Sequence, residues 1–564
     1  MNAKHGFQVL INGLLGFLFV SVANHYFGVA MEGDVGCFDA VSHQMKLGQR
    51  LYTDVFDNKA PGIFYLNWIL PNRGFSQITS SWAIQVSSFF VLVVSIRPLL
   101  LRWTLSNPLY GICASIFVVF SFRTIVFFWP AFFVGGYTEQ IGSYLLISGF
   151  LILFQTSFLG KDILYSDLRI LKCKLFVSGL LMGLTTLIKE PFIFFIPAMI
   201  LWLFFIDRKG VKTWFLGLIV PWVLHALILF WSGSCQDYIQ YLRFAMNYSI
   251  AGGSILEAQK WIDLLIPFRF DSLPVVNVSQ FFVFFGLIVL LLFQLSLANA
   301  DQRNAKNVEI TNTVVVLVTY LLLLWASRGF GHLGNGNYYH YQIPEYLISW
   351  FGLVLFLQSI SSHLQQSRST NNSNSRLLLV VTLSLLYLSN AIVKGKMPIG
   401  HVNMLQTLRS PHFINGAYYP ELPKVTNEEY AWRQFVNANK IYIPEKAKIF
   451  VDDPHLGRFY GYLNSQYTTF FPCPYWVYFH KDSMLPNDPI RSVLEKNRNT
   501  IIRQLQDKPP QFIITSENKG PFGTFTELIN YFENNFIKRG EFLLGKKKVM
   551  LYEKVSPERF DDNQ

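Results

Sequence analysis

The chain is 564 residues long, 51% hydrophobic and 16% aromatic, with only 15% of its residues charged, against about 25% in a soluble globular chain. That balance excludes a soluble enzyme. A net charge of +12 would suit a nucleic-acid binder, but no basic run is interleaved with aromatics in a polar segment. The Lys and Arg residues fall between apolar blocks, so membrane topology accounts for the charge and no nucleic acid is expected.

Blocks of roughly 20 apolar residues read as transmembrane helices. The first, 8 to 30, follows Lys4; it is long for a signal peptide and lacks a small-x-small cleavage site, so it is expected to be a retained span. Further blocks follow at about 78 to 96, 108 to 128, 139 to 157, 174 to 189, 191 to 206, 213 to 232, 278 to 299, 311 to 326, 341 to 358 and 376 to 393, making about eleven spans. With a cytoplasmic N-terminus, alternate loops hold Arg97 and Arg102; Lys161, Arg169, Lys172 and Lys174; Arg208, Lys209 and Lys212; Arg303 and Lys306; Arg368 and Arg376. Each is basic, as the positive-inside rule requires. The opposite loops carry Glu32, Asp34, Asp39, Asp54 and Asp57, then Glu139, then Arg328, His332 and His340.

The expected fold is therefore a multi-pass α-helical membrane protein, its membrane domain spanning 1–393. A soluble α/β domain at 394–564 is expected on the outer face, with strands at 448–451, 511–515 and 547–552 and helices at 427–438, 488–507 and 524–535. Cys37, Cys113, Cys173, Cys235 and Cys473 are scattered and indicate neither a zinc site nor a disulfide framework. Asp452, Asp453, Pro454 and His455 read as a solvated loop after a strand.

The first outer loop, residues 31–66, reads MEGDVGCFDAVSHQMKLGQRLYTDVFDNKAPGIFYL. Phe38, Val41, Met45 and Leu47 line one face of an expected interfacial helix that Gly48 closes. Asp34 precedes that helix, where first-turn N–H groups favour a carboxylate, so a plain N-cap is one reading of it. Later segments read GLTTLIKEP from Gly183 to Pro191 and YHYQIP from Tyr339 to Pro344, and Thr138 and Glu139 open a span.

In these motifs the chain resembles the GT-C superfamily of polyprenyl-phosphate-sugar-dependent glycosyltransferases, especially bacterial relatives of protein O-mannosyltransferases and of the lipid A aminoarabinose transferase. The family's first-loop acid falls on Asp34, its Gly-rich turn on Gly48 and Gln49, its Y-x-D on Tyr52 to Asp54, and its K-P-P-G-I-Y-x-L on Lys59 to Leu66. Glu139, Gly183 to Pro191 and Tyr339 to Pro344 match its later motifs in order, so the resemblance covers roughly residues 8–350. Val35 stands where the family has Glu, and Ala60 where it has the first Pro.

The resemblance implies sugar transfer from a polyprenyl monophosphate to an acceptor hydroxyl, lipid, glycan or protein, at the outer face of a bacterial cytoplasmic membrane. Asp34 is the candidate base that takes the acceptor proton. A departing phosphate needs positive charge, and Lys59 is the first candidate, with Arg328, His340 and Lys189 as helpers. An ion pair with Asp57, or a snorkelling interface lysine, is the alternative for Lys59. Tyr52, Asp54, Asp57 and Tyr341 are candidates for positioning acceptor or substrate. Glu139 and Asp34 are the pair that would share a divalent metal, the one cofactor the sequence raises. Lys189 and Glu190 are expected near the outer surface or a wet cavity, since each would cost ~2.5–3.5 kcal/mol at the midplane; a neighbour Lys–Glu pair is their plain reading. His332 and His340 flank a loop read as a substrate lid. Two other functions stay open: a polytopic lipid or polysaccharide transporter, and an inactive assembly relative. A transporter should place charged or broken helices near the midplane in both halves, whereas this chain gathers its charges at one rim.

Overall fold

The computed structural model describes residues 3–28, 34–57, 59–70, 77–126, 136–159, 168–206, 208–251, 274–296, 303–333, 339–366, 443–444, 446–452, 456, 460, 463–467, 469, 488–516, 526–544 and 547–555. The helices fall on the apolar blocks: α1 (Ala3–Gly28), α4 (Gln77–Ser106), α5 (Pro108–Val126), α6 (Thr138–Leu159), α7 (Leu168–Ile188), a 3₁₀ turn Glu190–Phe195 leading into α8 (Ile196–Ile206), and α9 (Val211–Ser232). After α10 (Cys235–Ala251) come α11 (Pro274–Ser296), α12 (Arg303–Leu333) and α13 (Ile343–Gln366). Among the described residues, six helices are long and apolar enough to cross a membrane, and Pro108–Phe122, Glu190–Phe205 and Ser279–Leu292 are shorter apolar stretches. The molecule is an integral membrane protein. The expected block at 376–393 lies outside the described residues.

Several helices outrun the apolar blocks that announce them. Arg97 and Arg102 lie inside α4, Lys172 and Lys174 inside α7, and Arg303 and Lys306 inside α12. A long basic side chain can keep its head in water while its stem follows the helix, so a charge marks where the apolar layer ends and not where the helix ends. Within the bundle, α13 is the most enclosed, with 83% of its apolar window buried. Helices α7 and α9 approach until their backbones touch: a Cβ on Gly179 would sit 1.9 Å from the Trp214 carbonyl oxygen, and one on Gly217 would sit 2.1 Å from that of Phe176. Small residues at a helix crossing make this possible.

Two short helices, α2 (Asp34–Lys46) and α3 (Pro61–Ile69), fill the loop between α1 and α4. The sequence suggested an interfacial α2 with one apolar face. Instead every residue from Val35 to Gln44 is buried, because α2 is packed on more than one side. Its Val35, Phe38 and Val41 share one apolar cluster with Ile449, Phe450, Ile513 and Ile514 of the C-terminal sheet, and Gln44 Nε2 donates to the Ser465 carbonyl at 3.1 Å.

That sheet has strands β1 (Lys448–Val451), β2 (Gln466–Tyr467), β3 (Phe512–Ser516), β4 (Phe536–Leu544) and β5 (Lys547–Lys554), in the order β2-β1-β3-β5-β4. β1 runs parallel to β2 and β3, while β5 runs antiparallel to β3 and β4. The helices Asp488–Asp507 and Thr526–Asn535 are present; the expected helix at 427–438 lies outside the described residues. Two readings need correction. Cys37 is disulfide-bonded, while Cys113, Cys173 and Cys235 are free; widely spaced cysteines can still pair when the fold brings them together. Asp452 is not solvated but fully buried, because its carboxylate accepts a hydrogen bond from Thr515 Oγ1 at 3.1 Å.

Candidate functional site

Four charged side chains from three separate parts of the chain meet at one rim of the bundle. Lys59 Nζ lies 2.8 Å from Asp34 Oδ2, and Lys189 Nζ lies 2.9 Å from Glu139 Oε1. The Lys189 ammonium also sits over the Tyr341 ring, 4.9 Å from its centroid. Burial opposes both ammonium ions. The Asp34 carboxylate, then Tyr341 and Glu139, nevertheless hold Lys59 well above the ordinary lysine value. Glu139 and Tyr341 hold Lys189 above it too, although Lys59 pulls the other way. Lys59 therefore feels the partner of Lys189, the two lysines feel each other, and the four charges act as one cluster.

Local structure fixes each member. Asp34 opens α2, where the helix N-terminus favours a carboxylate. Lys59 stands two residues before Pro61, the first residue of α3, a place where the missing N–H costs nothing. Its own N–H donates to Asp57 Oδ1 at 3.0 Å, and its carbonyl accepts from Tyr52 Oη at 2.9 Å. Asp57 thus binds the Lys59 backbone, while the Lys59 ammonium pairs with Asp34 in place of the Asp57 partner that was the alternative reading. Tyr52 adopts φ +68°, a conformation that costs a non-glycine residue roughly 1–3 kcal/mol and persists only where the surroundings enforce it. Here the enforcement is a tight turn: Asp54 accepts from the Arg50 backbone N–H and Nε, both at 2.9 Å, and from Nη2 at 3.0 Å. Asp54 is held by the turn, apart from the ammonium groups.

Glycines set the close approach of these pieces. A Cβ on Gly62 would lie 2.7 Å from the Leu187 backbone, so α3 meets the end of α7 directly, with Lys59 three residues before Gly62 and Lys189 two after Leu187. A Cβ on Gly142 would lie 2.3 Å from the Phe192 ring, which brings α6 and Glu139 onto the 3₁₀ turn that follows Lys189. Lys189 and Glu190 do not pair with each other, Lys189 being taken by Glu139. Glu190 instead accepts a hydrogen bond from Tyr241 Oη.

Tyr241, on α10, is a residue the sequence reading missed. Its ring stacks on Tyr52 with centroids 4.4 Å apart, so one side chain links the turn that carries Lys59 to the break that carries Lys189. Residues 235–251 carry a legible signal, Tyr238, Tyr241 and Phe244 at helical spacing. Thr53 Oγ1 donates to Asp237 Oδ2 at 2.7 Å, fixing the same turn to α10.

Arg328 lies half-buried on α12, and His340 belongs to the 3₁₀ turn Tyr339–Gln342; the side chains of His332 and His340, and residues 334–338 of the expected lid, lie outside the described residues. The donor set does not suit a shared divalent metal. Asp34 and Glu139 each face an ammonium, which a metal ion would have to displace or tolerate, and among the described residues no group of three or more His, Cys, Asp or Glu side chains is placed to hold one.

No protein-family model matches the chain, and no curated protein matches it. Among solved structures the chain is similar to ArnT from Cupriavidus metallidurans in the apo state, at 10% identity and a TM-score of 0.45, over 98% of this chain and 98% of that one. It is similar to the same protein bound to undecaprenyl phosphate, at 10% identity and 0.47, over 97% and 98%. It is also similar to the Archaeoglobus fulgidus oligosaccharyltransferase AglB in complex with an inhibitory peptide and a dolichol-phosphate, at 8% identity and 0.40, over 90% and 69%.

Proposed function

We propose that the chain is a GT-C glycosyltransferase that moves a sugar from a polyprenyl monophosphate to an acceptor hydroxyl at the outer face of a bacterial cytoplasmic membrane. The observation that carries this reading is the rim cluster itself: two ammonium groups, two carboxylates and a tyrosine converge where membrane helices end. Lys59 and Lys189 supply the positive charge that a phosphate needs as it becomes a dianion. Asp34, the more exposed of the two acids, is the base that accepts the acceptor's proton. No general acid is required, because a phosphomonoester leaves without protonation, in contrast to the alcohol of a glycosidase reaction. With the acceptor oxygen as the attacking atom, one displacement inverts the anomeric centre.

The placement of the face rests on alternation. Asp34 and Lys59 follow α1, Glu139 opens α6, Lys189 follows α7 and Tyr341 precedes α13; these positions share one side if the helices cross in turn. The Gln44–Ser465 hydrogen bond argues for the C-terminal sheet on that same side, and an oxidised Cys37 fits a compartment outside the cytoplasm. A reporter fused after residue 400 should be active only if exported. Asp34→Asn should keep the fold and reduce transfer from a polyprenyl-phosphate sugar by about 10²-fold or more; near-normal turnover would leave Asp34 a helix cap.

A further inference from the structure

The two ion pairs are not equally guarded. In the Lys59–Asp34 pair the side chains are 19% and 35% exposed; in the Lys189–Glu139 pair they are 9% and 2% exposed. The more solvent reaches an ion pair the more weakly it holds its partners, whereas a sealed pair cannot lose a partner without stranding a charge. A phosphate arriving at the rim offers several acceptor oxygens to ammonium groups that each carry three donors. It will therefore exchange with the carboxylate at Lys59 sooner than with the one at Lys189. Asp34 is also the group the reaction needs with its lone pairs available, since a carboxylate facing an ammonium is a poor proton acceptor.

We propose that the Asp34–Lys59 ion pair is a latch opened by the donor: the donor phosphate takes Lys59 from Asp34, and only then does Asp34 act as base, while Glu139 stays on Lys189 as its fixed counter-charge. This inference rests on the transferase reading above. It makes the reaction ordered, with donor binding a precondition for deprotonating the acceptor. In the step itself the acceptor oxygen bonds to the anomeric carbon, the bond from that carbon to the phosphate oxygen breaks, and its electron pair stays on the lipid phosphate. The acceptor's proton goes to Asp34. One negative charge disappears from Asp34 as one appears on the phosphate, so the cluster's net charge does not change and neither lysine has to gain or lose a proton. Glu139 in this scheme is a positioning residue: it keeps Lys189 charged and aimed without entering the chemistry.

The test is equilibrium binding of undecaprenyl phosphate to the full-length protein in lipid nanodiscs, followed by native mass spectrometry, for the wild type, Asp34→Asn, Asp34→Ser, Asp34→Glu and Lys59→Met. Asn and Ser both suit a helix start, so at least one should fold normally. A latch predicts that both bind the lipid at least about five-fold more tightly than wild type, the fold-change that ~1 kcal/mol of competing attraction withholds. Asp34→Glu, which restores the competing carboxylate, should return affinity toward wild type. Unchanged or weaker binding by Asp34→Asn and Asp34→Ser, with binding lost in Lys59→Met, would overturn the latch and leave the phosphate site standing. Binding indifferent to every one of these substitutions would remove the latch and the transferase reading together.

Discussion

The exposed and buried ion pairs use the same chemistry for different ends. Lys59 and Asp34 come from one loop and are only partly buried, so their pairing is easier to break than one sealed between helices. Lys189 and Glu139 come from the ends of two packed helices, α7 and α6, and are nearly sealed. Desolvation has already been met there, and the pair is held by the helices on either side. The contrast separates a charge that chemistry can use from one that keeps a neighbour in place.

The largest stability effect is expected at the buried pair. Lys189→Met would leave the Glu139 carboxylate buried without its ammonium, a change that costs about 3–5 kcal/mol. Replacing both partners with apolar residues, Lys189→Met with Glu139→Leu, should recover most of that loss, since a buried pair is often no better than an apolar contact of similar volume. Thermal unfolding in detergent of the single and double variants measures both. A single variant as stable as the wild type would show that water reaches Glu139 and that the two pairs are alike.

A second effect comes from beneath the C-terminal sheet. His43 is 2% exposed, and burial lowers its imidazole from the ordinary 6.5 to about 4. A histidine held neutral contributes fully above its unfolded value, and that contribution falls as pH drops from about 6.5 toward 4, because the unfolded chain then binds a proton that the folded one refuses. The window is worth roughly 3 kcal/mol. His43→Leu should flatten the pH dependence of unfolding between 7 and 4.5; a slope that persists would place the acid sensitivity elsewhere.

Gly62 sharpens the comparison by moving one pair against the other. An added methyl would meet the Leu187 backbone, and overpacking of this kind costs about 1–3 kcal/mol. Since the backbone cannot move aside as a side chain would, Gly62→Ala should push Lys59 away from Lys189. Turnover is expected to fall about 10²-fold from a displacement near 1 Å, beyond what the loss of stability explains. A Gly62→Ala protein with normal turnover would show that the spacing of the two lysines is not used.

Much of this was legible in the chain. Apolar blocks announced the helices, and in the first loop the acid of the EGDVG stretch and the lysine of the YTDVFDNKAPG run marked Asp34 and Lys59 as worth weighing. Partners were not legible, because they are set by tertiary approach. Lys59 has Asp57 two residues away and pairs with Asp34; Lys189 has Glu190 beside it and pairs with Glu139. Tyr241 sits in a readable aromatic stripe, but its use was hidden for the same reason, since the stack on Tyr52 and the bond to Glu190 are set by tertiary approach. Asp452 was misread as solvated because its partner, Thr515, lies on a neighbouring strand.

The smallest stability effect, and the most informative, belongs to the less buried pair. Lys59→Met keeps the apolar stem and removes the charge, so it should change stability by less than about 1 kcal/mol, far below the effect at Lys189. Its transfer activity should nevertheless be lost, because the departing phosphate has no ammonium at that position. Lys59→Arg should keep part of the activity: the charge is retained, but the planar, bulkier guanidinium cannot place a compact point charge on the phosphate. Single-turnover transfer at saturating donor, with donor affinity measured separately, distinguishes lost chemistry from lost binding. A Met variant that is stable, binds donor as the wild type does and still transfers sugar would move the phosphate's partner to Lys189, and the exposed pair would then be the structural one.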